Sequence, residues 1–588
     1  MKLSDYVIER VAKEVDHIFM LVGGGCMHLV DSVGRCKNLE YVCNLHEQAC
    51  AIAAEAYAQY TGFGVGLVTT GPGGTNALTG VAAAWMDSTP CLFISGQVKR
   101  ADSMVGKGIR QMGFQEINIV DIVKPITKYA KTVTEPNSIR CCLETAIHIA
   151  KRGRPGPVWI DIPLDVQAAE IDVSQLWEID IHRGCLSSRD YWKLQGQVGQ
   201  AIQLLSQAKK PVILLGNGAR GSNYWELLDI LQIPVLTTWK AIDLLSEDDP
   251  YYLGRPGAIG QRGANFAQQN ADFIMTIGAR LDLGQTGYNH AGFAKNAKKV
   301  VVDIDQSEID KLDMEIDIPI CADAKDFVKE LIQQEPCAGH TRFWWQRCLE
   351  WKRKYPVILP KYWKDEGVNN YVLVDVLSEE MSRDDLLIPG SSGACSEVVM
   401  QAFRVREGQC VFNSPGLGSM GFGIPASIGG CVASGRRTIC IEGDGGFQMN
   451  IQELETVKRL NLPIKFFVLN NGGYGSIQAT QERYFEGRYV GSNPESGMTL
   501  PDILKVAIAY GIPTVRIDSH KHIRERVRQV LDMEGPVVCE TISSPDQVTA
   551  PRLSSRQGED GSMESAPMED LWPFLPRDEF LVNMGVVS

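Results

Sequence analysis

The 588-residue chain has no excess of positive charge: 58 lysines and arginines stand against 71 aspartates and glutamates, for a net charge of -13. A nucleic-acid binder would carry a basic face, so that class is excluded. No apolar run approaches the ~20 residues of a membrane span. The N-terminus runs from Met1-Lys2-Leu3-Ser4 straight into an amphipathic pattern, with neither a charged-then-apolar leader nor an Arg-rich transit segment, so a cytoplasmic location is expected. Sixteen cysteines are present, yet no C-x-x-C pair. Cys141-Cys142 falls on a predicted helix with poor ligand geometry, so free, mostly buried thiols and no zinc site are expected.

What the chain does have is length for several cores and the composition of an ordinary globular protein, 44% hydrophobic and 22% charged. Short apolar, β-branched runs alternate with helical periodicities, which predicts an α/β protein of doubly wound parallel sheets. Composition breaks divide it into 1–180, 190–340 and 369–545, with a tail over 546–588. His182 to Asp190 reads as a linker. A second linker carries Trp344-Trp345 and Lys352-Arg353-Lys354, read as a solvated helix face.

In the first segment, Tyr6–Val15 reads as a helix and Ile18–Val22 as a strand running into Gly23-Gly24-Gly25. Tyr41–Leu45 is a strand followed by His46-Glu47-Gln48 and an alanine-rich helix to Thr61. Gly64–Thr70 leads into Gly71-Pro72-Gly73-Gly74-Thr75-Asn76, and Pro90–Ser95 ends in Gly96-Gln97. Glu47 at a helix start is, on its own, also what a simple dipole partner looks like. In the second segment, strands at Lys210–Leu215, Phe273–Ile277 and Lys299–Asp303 end in Gly216-Asn217-Gly218, Gly278-Ala279-Arg280 and Ile304-Asp305. Strand ends of this kind suit a nucleotide with weak specificity, and no full Gly-x-Gly-x-x-Gly is expected in the segment.

The third segment holds the stretch around which the rest is organised. Thr438–Glu442 is a buried strand closing on Gly443-Asp444-Gly445. Asn450–Leu460 has helical periodicity, with Ile451, Leu454, Val457 and Leu460 on one face. Ile464–Leu469 is a second strand, ending in Asn470-Asn471-Gly472-Gly473. A strand–turn–helix–strand unit places Asp444 and Asn471 at one carboxyl edge. With the Gly473 carbonyl they form a hard-oxygen set suited to Mg²⁺ and phosphate. Upstream, Leu386–Pro389 runs into Gly390-Ser391-Ser392-Gly393, whose amides and hydroxyls suit a diphosphate.

Gly443-Asp444-Gly445, a helix, a strand and Asn470-Asn471 together resemble the thiamine-diphosphate motif. Over residues 1–545 the chain resembles the catalytic subunit of the acetolactate (acetohydroxyacid) synthase family. The runs that carry this are His46-Glu47-Gln48, Thr70–Asn76, Ile94-Ser95-Gly96-Gln97-Val98, Phe114-Gln115-Glu116, Arg154-Pro155-Gly156-Pro157-Val158 and Pro415–Pro425. The resemblance implies that Glu47 is the activating acid/base and that Gln115 reaches an active site from the neighbouring subunit's side. Pro72 and Asn76 would shape the pyrimidine pocket, and Gly24, Gly25 and Cys26 would line the thiazolium. Gly418 and Met420, Gly443, Gly445 and Asn470 would contact the cofactor, with Met420 bending it. Cys26 has no local histidine partner and reads as a small lining residue rather than a nucleophile.

In the same family the middle segment binds FAD, and the matched positions are Arg154, Gly216, Gly218, Gly257, Gly278, Arg280, Asp303, Ile304 and Asp323. The alternative is a degenerate domain without the cofactor, and the matched charged positions favour a structural FAD. The implied reaction is decarboxylation of a 2-oxo acid, pyruvate, and transfer of the two-carbon unit to a carbonyl acceptor. A homodimer or tetramer is implied, with a regulatory small subunit as a further partner. At two positions the chain departs from the family: Ser476 and Thr480 stand where the synthases carry methionine and tryptophan. The diphosphate loop also lacks the family's Gln-His pair. A roomier, more hydrophilic acceptor pocket follows, which leaves a keto-sugar nucleotide acceptor, or simple decarboxylation, as alternative readings.

Overall fold

The computed structural model describes residues 1–178, 188–339, 341–390, 392–544, 547–557 and 563–586. Three sheets, each all-parallel, carry the architecture. The first contains β1 (His17–Met20), β2 (Glu40–Cys43), β3 (Gly64–Val68), β4 (Cys91–Gln97), β5 (Tyr129–Thr132) and β6 (Val158–Pro163), in the order β2-β1-β3-β4-β6-β5. The second contains β7 (Pro211–Leu215), β8 (Val235–Thr237), β9 (Phe273–Ile277), β10 (Lys298–Asp303) and β11 (Ile318–Cys321), ordered β11-β10-β9-β7-β8. The third contains β12 (Leu386–Pro389), β13 (Cys410–Val411), β14 (Thr438–Gly443), β15 (Ile464–Asn470), β16 (Thr514–Ile517) and β17 (Val537–Ile542), ordered β13-β12-β14-β15-β17-β16. Central strands such as β3, β7 and β9 are buried along their whole length, which is why they read as unbroken apolar runs.

All three orders reverse at the same place. The first strand of each sheet has the second on one side and the third on the other, so each sheet opens a crevice at the carboxyl ends of β1/β3, β7/β9 and β12/β14. Ligands of doubly wound folds bind at such switch points.

Two compact units are formed. One spans Met1–Arg183, Asp384–Ser396 and Cys410–Ser543; the other spans Gly184–Arg383, Glu397–Gln409 and Ser544–Ser588. In the first unit, the helix Glu47–Thr61 packs against both Pro72–Met86 and Gly423–Ser434. Small residues make this close approach available: a Cβ on Gly429 would lie 2.0 Å from the Ala53 carbonyl oxygen, and one on Gly80 would lie 2.4 Å from the Ala51 Cβ. The alanine-rich helix bearing Glu47 is thereby fixed by backbone proximity.

Several expectations are corrected. The periodic stretch Asn450–Leu460 holds one shorter helix, Glu453–Arg459, and the glycine turn expected ahead of it opens a further helix, Asp444–Gln448; in the turn between them buried Asn450 donates its amide to the Gly421 carbonyl (2.7 Å). The helix expected over Tyr6–Val15 lies at Leu3–Val11. The second linker is a helix, Arg342–Lys354, whose Trp344, Cys348 and Trp351 are buried in the second unit's core. Its basic run is not simply solvated, since Lys352 pairs with Glu247 (2.9 Å) and Lys354 with Glu579 (2.8 Å).

The tail packs within that same unit. Leu571 is fully buried, Leu575, Phe580 and Met584 join the core, and Arg262 donates to the carbonyls of Leu571 (3.0 Å) and Pro573 (2.6 Å). All described cysteines are free, and most are buried. Among the described residues no helix is long and apolar enough to cross a membrane.

Candidate active site

At the carboxyl ends of β14 and β15, beside the β12/β14 crevice, the chain places the oxygen set expected from sequence. Asp444 opens a helix directly after β14, and Asn471 follows β15, in register with it through Gly443 and Leu469. The Asp444 carboxylate is 2% exposed. Its Oδ2 accepts the backbone N–H of Asn471 (3.1 Å), Gly472 (2.9 Å) and Gly473 (3.2 Å), and its Oδ1 accepts that of Gly445 (2.7 Å). Burial pushes this carboxyl up to about 6, against the pull of those four donors. Among the described residues no three His, Cys, Asp or Glu side chains gather as a metal site. A cation here would therefore draw on one carboxylate, an amide and a backbone carbonyl, which is the Asp444–Asn471–Gly473 set. A buried carboxylate beside the exposed Asn471 suits a hard divalent ion such as Mg²⁺.

Around it, Met420 and Tyr474 close on Gly445, where an added Cβ would lie 3.5 Å and 2.3 Å from them respectively. Gly418 holds a turn through its N–H to the Ser414 carbonyl (3.2 Å). Gly393 adjoins Ser476, whose hydroxyl would be 2.9 Å from an added Cβ. The Ser392 carbonyl is engaged by the Cys395 thiol, and Ser391 lies outside the described residues. The Asn470 side chain is spent internally, donating to Glu540 (2.7 Å) and accepting from the Gly472 N–H (3.0 Å). Thr480 lies one turn beyond Ser476 and donates to its carbonyl (3.0 Å); both are exposed on a helix, Gly475–Tyr484, that buries no residue.

The β1/β3 crevice gathers the other group. Glu47 is 8% exposed at the first turn of its helix, which His46 caps. Asn76 donates to its Oε2 at 3.0 Å. Pro72 opens the helix bearing Asn76. The turn Gly24–Cys26 is pinned on both sides: Gly25 N–H donates to Thr69 Oγ1 (3.1 Å), and Gln167 donates to the Gly25 carbonyl (2.7 Å). Cys26 is fully buried, and burial pushes its thiol up, which removes it as a nucleophile. Gln115 is exposed, and its carbonyl abuts Gly71, the residue before Pro72.

In the second unit, Gly216 and Gly278 flank the β7/β9 crevice, with Asp303 ending β10, Ile304 following it and Asp323 following β11. Gly216–Gly221 spells Gly-x-Gly-x-x-Gly directly after β7, which corrects the expectation that the segment has no full motif of this kind. Gly216 and Gly218 meet the backbone of Gly278, and Gly257 is bonded to Asn265. Arg280 lies 3.6 Å from Glu308, and Asp323 caps the following helix. Arg154 belongs to the first unit, donating to Ser88 (2.9 Å). Glycines, a guanidinium and two carboxylates at one sheet edge are a donor set that suits a dinucleotide.

Three buried glutamates escaped the sequence reading. Glu442 accepts from Gly423 N–H (2.9 Å) and Gly443 N–H (3.1 Å), and burial pushes it up to about 7. Glu453 is fully buried and accepts the backbone N–H of Leu45 (2.7 Å) and His46 (3.1 Å), immediately ahead of Glu47. Glu116 organises the segment carrying Gln115. Glu442 and Glu116 stand inside runs that the sequence singles out, Thr438–Gly445 and Phe114-Gln115-Glu116, but only as neighbours of other residues; Glu453 looks like surface charge in one dimension.

Family models match the three segments in turn: thiamine pyrophosphate enzyme, N-terminal TPP binding domain, over residues 1–122; the central domain over 198–331; and the C-terminal TPP binding domain over 391–541. The chain is 33% identical to the acetolactate synthase large subunit of Cyanidium caldarium, over 92% of this chain and 93% of that one. It is 33% identical to the acetolactate synthase of Arthrospira platensis, with the same coverage. With acetolactate synthase 1, chloroplastic, of Nicotiana tabacum it shares 32% identity over 94% of this chain and 83% of the other. The chain thus belongs to the thiamine-diphosphate-dependent enzymes of the acetolactate synthase family.

Proposed function

We propose that this protein is a thiamine-diphosphate- and Mg²⁺-dependent carboligase that decarboxylates pyruvate and adds the two-carbon unit to a carbonyl acceptor. The observation that carries it is Asp444, a buried carboxylate set at a switch-point crevice among the Asn471–Gly473 amides. Asp444, Asn471 and the Gly473 carbonyl would hold the cation, and Ser392 and Gly393 the diphosphate. Bound thiamine diphosphate supplies the electron sink for loss of CO₂. Glu47, oriented by Asn76 on Oε2, would exchange a proton with the pyrimidine ring through its other oxygen. Met420 and Tyr474 would exclude water above Gly445.

A second reading concerns the acceptor. Ser476 and Thr480 present small hydroxylated side chains, both exposed, on a helix that buries no residue, which favours a large polar ketone such as a keto-sugar nucleotide over a second pyruvate. FAD in the second unit would be structural, since no electrons are transferred; the purified protein would then be yellow. The active unit is proposed to be a homodimer or tetramer, cytoplasmic, with a small subunit as partner.

The test is product analysis with pyruvate, thiamine diphosphate and Mg²⁺, with and without keto-sugar nucleotides. Acetolactate without added acceptor supports the first reading. Pyruvate turnover that rises only with the sugar, giving a branched product, supports the second. Acetaldehyde alone under both conditions contradicts carboligation.

A further inference from the structure

We propose that Glu116 is a positioning residue that sets the loop 98–117 so that Gln115 and Phe114 are presented outward for the reaction. This rests on the function proposed above and on the expectation from sequence that Gln115 reaches an active site.

The loop leaves β4 and returns to the same sheet edge through Ile117. Gln97 clamps both ends: its Oε1 accepts Val98 N–H (3.0 Å), and its Nε2 donates to the Ile117 carbonyl (3.1 Å). Between those ends the loop has no sheet or long helix to organise it. Glu116 takes that role. It is 5% exposed, although its neighbour Phe114 is 87% exposed. Its Oε1 accepts the Ser103 hydroxyl (2.8 Å) and Met104 N–H (2.6 Å); its Oε2 accepts Met112 N–H (3.0 Å) and Gly113 N–H (3.1 Å). Those backbone donors hold the Glu116 carboxyl below its usual range despite burial.

Only a carboxylate fits this arrangement, because four donors and no acceptor converge on two oxygens. An amide in either orientation would set its own N–H groups against backbone N–H groups. Adjacent Gln115 is held at φ 61°, a left-handed conformation that a non-glycine residue adopts only when its surroundings impose it. Its carbonyl lies against Gly71, where a Cβ would come within 2.2 Å. The strained residue and the four-donor staple are consecutive, so releasing the staple lets Gln115 relax.

The experiment compares wild type with Glu116→Gln and Glu116→Asp in the full-length protein, with thiamine diphosphate and Mg²⁺. Trypsin reports loop order directly, since Lys107 and Arg110 lie exposed inside the loop. Glu116→Gln is expected to be cut there about tenfold faster, with an unchanged melting transition and cofactor affinity. Its kcat with pyruvate falls by about 10–100-fold. Glu116→Asp, with both acceptor oxygens on a shorter arm, recovers part of each loss. Wild-type cleavage and kcat in Glu116→Gln would overturn the proposal, as would a melting transition lowered in parallel with every other readout. If wild type fails to turn over pyruvate, the functional reading fails, and the trypsin comparison still decides whether Glu116 sets the loop.

Discussion

Replacing Glu453 separates a charged staple from a generic buried side chain. Its Oε1 serves the N–H groups of Leu45 and His46, and its Oε2 serves Asn44 Nδ2 (3.0 Å) and the Thr456 hydroxyl (2.8 Å). In Glu453→Ala two part-buried backbone donors lose the acceptor that the carboxylate supplies, at about 1–3 kcal/mol each. Removing the carboxylate also ends its desolvation penalty, which pushes this carboxyl above its usual range. The balance is a loss of about 3 kcal/mol. Glu453→Gln behaves differently. Its carboxamide oxygen can keep Leu45 and His46 while its NH₂ faces Asn44 and Thr456. Asn44 has a buried Oδ1 with no partner and can turn it inward, and the threonine hydroxyl can rotate to accept. This variant should stay within about 1 kcal/mol of wild type. Thermal unfolding reads the difference as a drop of about 5 °C or more for alanine and little for glutamine. Because Leu45 and His46 lead into Glu47, pyruvate turnover should fall in the alanine variant and survive in the glutamine one. Equal behaviour of the two variants would refute the reasoning.

Asp161, fully buried, accepts from Ser95 (2.6 Å), Gln97 (3.2 Å) and Thr132 (3.1 Å), and burial pushes it up to about 6. A carboxyl raised on folding contributes stability below its unfolded pKa and loses it as pH rises through about 6, here about 3 kcal/mol in all. Asp161→Asn should therefore flatten the stability profile between about pH 4 and 7, and an unchanged slope in denaturant titrations would contradict this. Gly429→Ala should destabilise by at least about 1–3 kcal/mol, because the added methyl meets the Ala53 carbonyl oxygen at 2.0 Å. A melting temperature equal to wild type would show that the helices part without cost.

Much of this was legible because buried parallel strands read as continuous apolar runs. Leu386–Pro389 and Phe273–Ile277 fall where the sequence places them, and Asp444 and Asn471 share one edge as strand–turn–helix–strand logic requires. What escaped depends on distant backbone. Glu116 and Glu453 are buried only because amides at Met104 or Leu45 converge on them, and an amide leaves no mark in a sequence. Asn450 stands in the turn between the helices Asp444–Gln448 and Glu453–Arg459 and reaches Gly421, a contact that periodicity cannot encode. The helix Arg342–Lys354 was readable: Trp344, Cys348 and Trp351 follow the i, i+4, i+7 spacing of one buried face, which the neighbouring basic run obscured.

The most direct test of the central claim is cofactor-dependent CO₂ release from pyruvate by wild type and by Glu47→Gln, which keeps a partner for Asn76 but cannot exchange the proton. The account predicts release that requires both thiamine diphosphate and Mg²⁺, and a loss of at least about 100-fold in Glu47→Gln with cofactor binding retained. Equal release by the two proteins, or release without thiamine diphosphate, would contradict it.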